Sequence, residues 1–93
     1  MTTQPVPARR AVSLRCTLTR SAGSPIRARA IELGPTGMRL ATERPLVVDE
    51  IVAFEMMHDD VCISGRARVV CQERPDVYAV RFASPRQVAP DIG

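Results

Sequence analysis

Apolar and polar residues alternate with a period of two along most of this chain. Residues 11–19 place Val12, Leu14, Cys16 and Leu18 on one face and Ser13, Arg15, Thr17 and Thr19 on the other, the pattern of a half-buried strand. Residues 26–33 begin with Ile26, Ala28 and Ala30 facing one way. The apolar face then passes to Ile31 and Leu33, and a swap of this kind predicts a bulge near Ala30–Ile31. Residues 38–42 turn Met38 and Leu40 inward and Arg39 outward, and residues 50–57 do the same with Val52, Phe54 and Met56. The longest alternating run, residues 61–73, puts Val61, Ile63, Gly65, Ala67, Val69 and Cys71 on one side. Residues 77–83 close the series with Tyr78, Val80 and Phe82 inward.

Turn chemistry separates these runs. Ser21-Ala22-Gly23-Ser24-Pro25, Gly34-Pro35-Thr36-Gly37, His58-Asp59-Asp60 and Arg74-Pro75-Asp76 each join two of them, and such clusters break strands. No long segment carries helical periodicity. The fold expected is all-β, a six-stranded antiparallel β-barrel. At most one short helical turn is expected, at residues 85–89, capped by Ser84 with Pro85 at its first position and stopped by Pro90. The organisation read from the chain is a flexible arm at residues 1–8, a barrel domain at 9–83 and a short tail at 84–93.

Composition narrows the function classes. A chain of 93 residues makes one domain, burying roughly 60–65% of its unfolded surface. The formal net charge is +3, and all 13 cations are arginine. Each is a planar fork able to grip phosphate or a guanine edge bidentately. The charge leans toward an anionic partner but lacks the dense basic stripe of a DNA-binding domain. Phe54, Tyr78 and Phe82 are the whole aromatic set, too few for a platform that stacks single-stranded bases. Nucleic acid is therefore not an expected partner. No signal-like or membrane-spanning segment stands out, so the expected location is the cytoplasm, without membrane insertion. Cys16, Cys62 and Cys71 each lie in a strand-like apolar context and are expected to be buried, reduced thiols. With no CxxC pair and His58 as the one histidine, no metal site is expected. The acidic pairs Asp49-Glu50 and Asp59-Asp60 sit at turns, where such residues are usual. No catalytic set emerges, and the chain reads as a binding module, not an enzyme.

One constellation points to a ligand. Arg9-Arg10 precede the first strand. Glu32-Leu33-Gly34-Pro35-Thr36-Gly37-Met38-Arg39-Leu40 forms the second turn, Gly65-Arg66-Ala67-Arg68-Val69-Val70 lies in the long strand, and Tyr78-Ala79-Val80-Arg81-Phe82 ends the series. In order and spacing this resembles the PilZ domain family, small bacterial signalling barrels that bind cyclic di-GMP. The resemblance spans about residues 9–83. In that family two arginines separated by three residues precede the first strand. Asp or Asn, any residue, Ser, any two residues and Gly mark the second turn. Here Glu32 stands for the Asp or Asn and Gly34 for the Ser, Gly37 keeps the final glycine, and the arginines are adjacent. The resemblance implies cyclic di-GMP as a nucleotide ligand, with no cofactor. It implies Arg9, Arg10, Glu32, Gly34, Gly37 and Arg39 as the ligand-binding residues. Arginine would take phosphate and guanine, Glu32 would accept from a guanine edge, and the glycines would admit close backbone approach. The alternative is a degenerate PilZ-like adaptor that binds no nucleotide and acts on a partner protein. The expected alternative for Arg27, Arg29, Arg66 and Arg68 is a solvated face paired with Glu32, Glu55 or Glu73.

Overall fold

A computed structural model describes residues 10–83 and, for the backbone, residues 87–90. The strands are β1 (Arg10–Thr19), β2 (Ile26–Leu33), β3 (Gly37–Thr42), β4 (Ile51–His58), β5 (Val61–Arg74), β6 (Val77–Phe82) and β7 (Gln87–Pro90). They run β4-β1-β2-β3-β6-β5, and β5 pairs back onto β4. The chain is thus all-β, a closed six-stranded antiparallel barrel, with no helix among the described residues.

Alternation sets the core. Cys16, Leu18, Ile26, Ala30, Met38, Leu40, Val52, Phe54, Met56, Ala67, Val69 and Val80 are buried in one cluster. The Phe54 and Phe82 rings meet across it with centroids 5.4 Å apart. The face swap in β2 is a bulge: its register with β3 shifts between Ala30 and Glu32. β1 answers with its own shift between Ala11 and Leu14 on the other side of the same strand. The β4–β5 hairpin closes through Asp59 and Asp60, both with positive φ (50° and 64°). Two consecutive left-handed residues make the primed turn whose twist matches a two-residue hairpin, and Asp tolerates that conformation better than most side chains.

Two expectations are corrected. Residues 87–90 form no helical turn but pair as β7 with β5, Val61 opposite Pro90 through Ser64 opposite Gln87. One turn of helix forms hardly a hydrogen bond of its own, whereas β5 offers an open edge there. Residues 1–9, including the arm and Arg9, and residues 84–86 and 91–93 lie outside the described residues. Second, only Cys16 of the three cysteines is buried; Cys62 is half-buried and Cys71 exposed. The cause is a register shift between Val69 and Cys71 against β6. An extra residue at Val70 ends the alternation, and Cys71 to Arg74 all lie exposed.

Across the β3–β4 connection, Glu50 takes both ends of the Arg20 guanidinium, Nε to Oε1 at 3.0 Å and a terminal nitrogen to Oε2 at 2.9 Å. Arg20 also donates to the Pro45 carbonyl at 2.6 Å, and the Val47 N–H donates to Glu50. Burial raises the Glu50 pKa, but the Arg20 and Val47 hydrogen bonds and the Arg20 charge outweigh it, leaving the carboxyl below its ordinary value of 4.5.

Two outcomes follow from this packing. Glu50→Gln keeps the shape but loses the charge-assisted bonds, and costs about 1–2 kcal/mol of stability in denaturant melts at neutral pH. Because the folded pKa is depressed, this contribution is full above the ordinary carboxylate range and fades as pH falls through the folded value. The gap between parent and variant therefore narrows in acid; a gap independent of pH would refute the charge assignment. In thiol labelling of the folded chain Cys71 reacts first. Cys16, pushed up to about 11 by burial against a weaker opposing backbone hydrogen bond from Glu55, stays protected until unfolding. Equal labelling rates would contradict the placement of both.

Candidate functional site

The β2–β3 turn, residues 34–37, is held from three directions. The Gly34 N–H donates to the Gly37 carbonyl at 3.0 Å, and the Phe82 N–H donates to the Thr36 carbonyl at 2.9 Å. Leu33 pairs with Met38 at the base. Gly37 sits opposite Arg81 on β6. A Cβ at Gly37 would lie 2.2 Å from the Val80 carbonyl oxygen and 3.2 Å from the Arg81 Cα. Backbone presses on backbone here, and only glycine fits. Gly34 needs no such licence: the positive-φ positions among the described residues are Gly23, Asp49, Asp59 and Asp60.

Between this turn and the outer face of β3 and β6 lies a cleft of about 340 Å³, whose lining includes Glu32, Gly34, Thr36, Gly37, Arg39 and Arg81, with Pro35, Val70 and Ala79 among its other walls. Strand register explains the gathering. Glu32 pairs with Arg39, Arg39 with Ala79, and Gly37 with Arg81. Ala79 is the small residue among these outward positions, and it leaves the floor open. The volume is at the low end of the range for small-molecule sites, about 300–1,000 Å³.

Four of the residues named from the sequence, Glu32, Gly34, Gly37 and Arg39, line this cleft. Arg10 begins β1 opposite Leu33, which sets it beside the turn, exposed. Arg9 falls outside the described residues. The charges divide unevenly. The Arg39 guanidinium lies 3.2 Å from Glu32 Oε2 and 2.8 Å from Glu73 Oε1. The first contact is a hydrogen bond. The second is an ion pair in which the buried Nε does not aim its hydrogen at the carboxylate. Arg39 is thus compensated on both sides. Glu32 and Glu73 pair with Arg39, while no ion pair joins either to Arg27, Arg29, Arg66 or Arg68 among the described residues. Arg29 donates instead to the Ser13 hydroxyl at 2.8 Å and Arg68 to the Asp49 carbonyl at 3.3 Å.

Three contributors went unread in the sequence. Arg81 alternates outward between Val80 and Phe82, but its neighbours depend on the β3–β6 pairing, which joins segments about forty residues apart by no local rule. Thr36 brings a hydroxyl to the cleft two residues after Gly34, and its N–H makes no backbone hydrogen bond among the described residues. Glu73 reaches Arg39 from the far strand. Among the described residues no group of His, Cys, Asp and Glu gathers to hold a metal ion, and no helix is long and apolar enough to cross a membrane.

The close approach at Gly37 has a direct test. Gly37→Ala forces β3 and β6 apart and costs about 1–3 kcal/mol, the usual range for overpacking, read as a fall in melting temperature. Thr36→Ala at the exposed tip leaves the melt within about 0.5 kcal/mol of the parent. If Gly37→Ala melts with the parent, the backbone contact does not set this turn.

No protein-family model, curated protein or solved structure matches the chain.

Proposed function

We propose that this chain is a single-domain, PilZ-like regulatory module whose cleft at the β2–β3 turn takes cyclic di-GMP. The observation that carries the reading is the convergence of Glu32, Gly34, Gly37, Arg39 and Arg81 on one concavity, with Arg10 beside it. A carboxylate is in reach of a guanine edge, a glycine turn admits close approach, and arginine forks are available for phosphate. Binding acts as a switch in this reading: the ligand draws the N-terminal residues across the cleft and alters the surface met by a partner protein.

A second reading has its own support. Arg39 is already neutralised by Glu32 and Glu73, so a nucleotide must displace those contacts before it gains the guanidinium. Gly34 also lacks the hydroxyl that the resemblance calls for. Both observations favour a degenerate adaptor that works through protein contacts alone.

Calorimetry with cyclic di-GMP separates the two. The nucleotide reading expects measurable binding by the parent chain and a loss of about tenfold or more in Arg10→Ala, the scale of one charge-assisted contact. Gly34→Ser is expected to tighten binding by about 0.5–1.5 kcal/mol, the net value of one hydrogen bond. Serine is tolerated there because Gly34 does not take positive φ and the residue before Pro35 favours extended backbone. A folded Gly34→Ser chain without heat at millimolar ligand leaves the adaptor reading in place.

A further inference from the structure

The charged side chains that line the cleft differ in what already holds them. Arg39 is taken by Glu32 and Glu73. Arg81 also lines the cleft, yet it makes no ion pair and no side-chain hydrogen bond among the described residues. Its surroundings on the cleft side are small. Gly37 stands opposite it on β3, and Ala79 comes two residues earlier on the same outward side of β6. Arg68, opposite it on β5, reaches away to the Asp49 carbonyl and is not part of the lining. The Arg81 guanidinium therefore has room in the cleft and no carboxylate to fill it.

The same wall supplies neutral donors. Thr36 lies one step beyond Gly37, and its carbonyl takes the Phe82 N–H at 2.9 Å, which fixes the residue beside the Arg81 position of β6. Thr36 lines the cleft. Its hydroxyl and its N–H make no hydrogen bond among the described residues, whereas the Gly34 N–H is already given to the Gly37 carbonyl. Uncommitted donors and an uncancelled positive charge thus share one wall. We propose that Arg81 and Thr36 form an anion subsite of the cleft that takes one phosphate group. A tetrahedral phosphate offers two oxygens to the guanidinium fork and a third to Thr36. A carboxylate has two oxygens only, and the fork uses both. The source is either a free phosphate or the diester of a nucleotide. For the nucleotide source, the inference rests on the ligand reading above and gives the phosphate to Arg81 and Thr36 in place of the compensated Arg39.

Amide spectra of the ¹⁵N-labelled chain, titrated separately with inorganic phosphate, acetate and cyclic di-GMP at constant pH and ionic strength, test this. Phosphate is expected to shift the amides of Thr36, Gly37 and Arg81, and acetate to bind more weakly. Arg81→Gln weakens phosphate by about tenfold and Thr36→Val, which removes only the hydroxyl, by about threefold or more. Thr36→Ser keeps the affinity. Arg68→Gln, outside the cleft, changes it by less than about twofold. Both site variants melt with the parent because both positions are exposed; this separates a lost site from a lost fold. Phosphate shifts absent from those amides, unchanged affinity in Arg81→Gln, or an equal loss in Arg68→Gln overturn the proposal, and acetate binding as well as phosphate overturns the ligand class. If phosphate binds at this subsite and cyclic di-GMP binds no better, the subsite stands and the cyclic nucleotide reading falls. If cyclic di-GMP binds tightly and neither Arg81→Gln nor Thr36→Val weakens it, the nucleotide reading stands and the subsite falls.

Discussion

Closure of the ring at β4 and β5 is the constraint on which the rest of this structure depends. A chain of this length owns a thin core, and an open sheet of the same strands would leave one face of it wet. The 14-residue β5 solves the geometry. Along one side it pairs with β4, and along the other it carries β7 and then β6 end to end. Its register shifts at Val70 and beyond Gln72 bend and twist the strand as bulges do. Ala67 and Val69 thereby stay fully buried while the residues beyond them leave the barrel. The Arg20–Glu50 pair supports the same seam, since the Glu50 carbonyl and the Asp49 N–H extend the β4–β5 ladder to Val69.

The cleft is a by-product of that closure. Once β5 returns to β4, β6 must fill the gap between β3 and β5, and the β2–β3 turn comes to rest on the end of β6. The contact is tight enough to require glycine at 37. The cleft walls are therefore set by backbone, whereas its polarity is set by outward side chains that the core does not constrain. The fold and the chemistry of the site are accordingly separable here. Charge at Glu32, Glu73, Arg39 or Arg81 can change without touching a buried residue.

That separation also explains what was legible in the sequence. Period-two alternation reports burial directly, so Val12 to Leu18, Met38 to Leu40 and Val52 to Met56 are found on the expected faces. The bulge at Ala30–Ile31 was visible because the apolar letters change face there. The one at Val70 was not, because Val69, Val70 and Cys71 are all apolar and the extra residue leaves no gap in the pattern. The tail was misread for a different reason: Ser84-Pro85 is a good local helix start, but the free edge of β5 at 61–64 is a tertiary feature that local preference cannot report. The turn residues Glu32, Gly34, Gly37 and Arg39 were readable because they are contiguous. Arg81 and Glu73 were not, because their place beside the turn comes from pairings between distant segments.

The two arginine neighbourhoods on this face show what the barrel would look like if stability alone chose its surface. At one cross-strand position Glu32 faces Arg39, the opposite-charge arrangement that strand pairing favours. Two strands further round the ring, Arg68 faces Arg81, the arrangement that it disfavours. Both positions are outward, and a carboxylate at 68 would disturb nothing in the core. Solvent screening makes an exposed like-charge pair tolerable but never favourable. The compensated pair lines the cleft, where a bare guanidinium would be partly desolvated, whereas Arg68 reaches the Asp49 carbonyl on the β4 side and both Arg68 and Arg81 stay open to water.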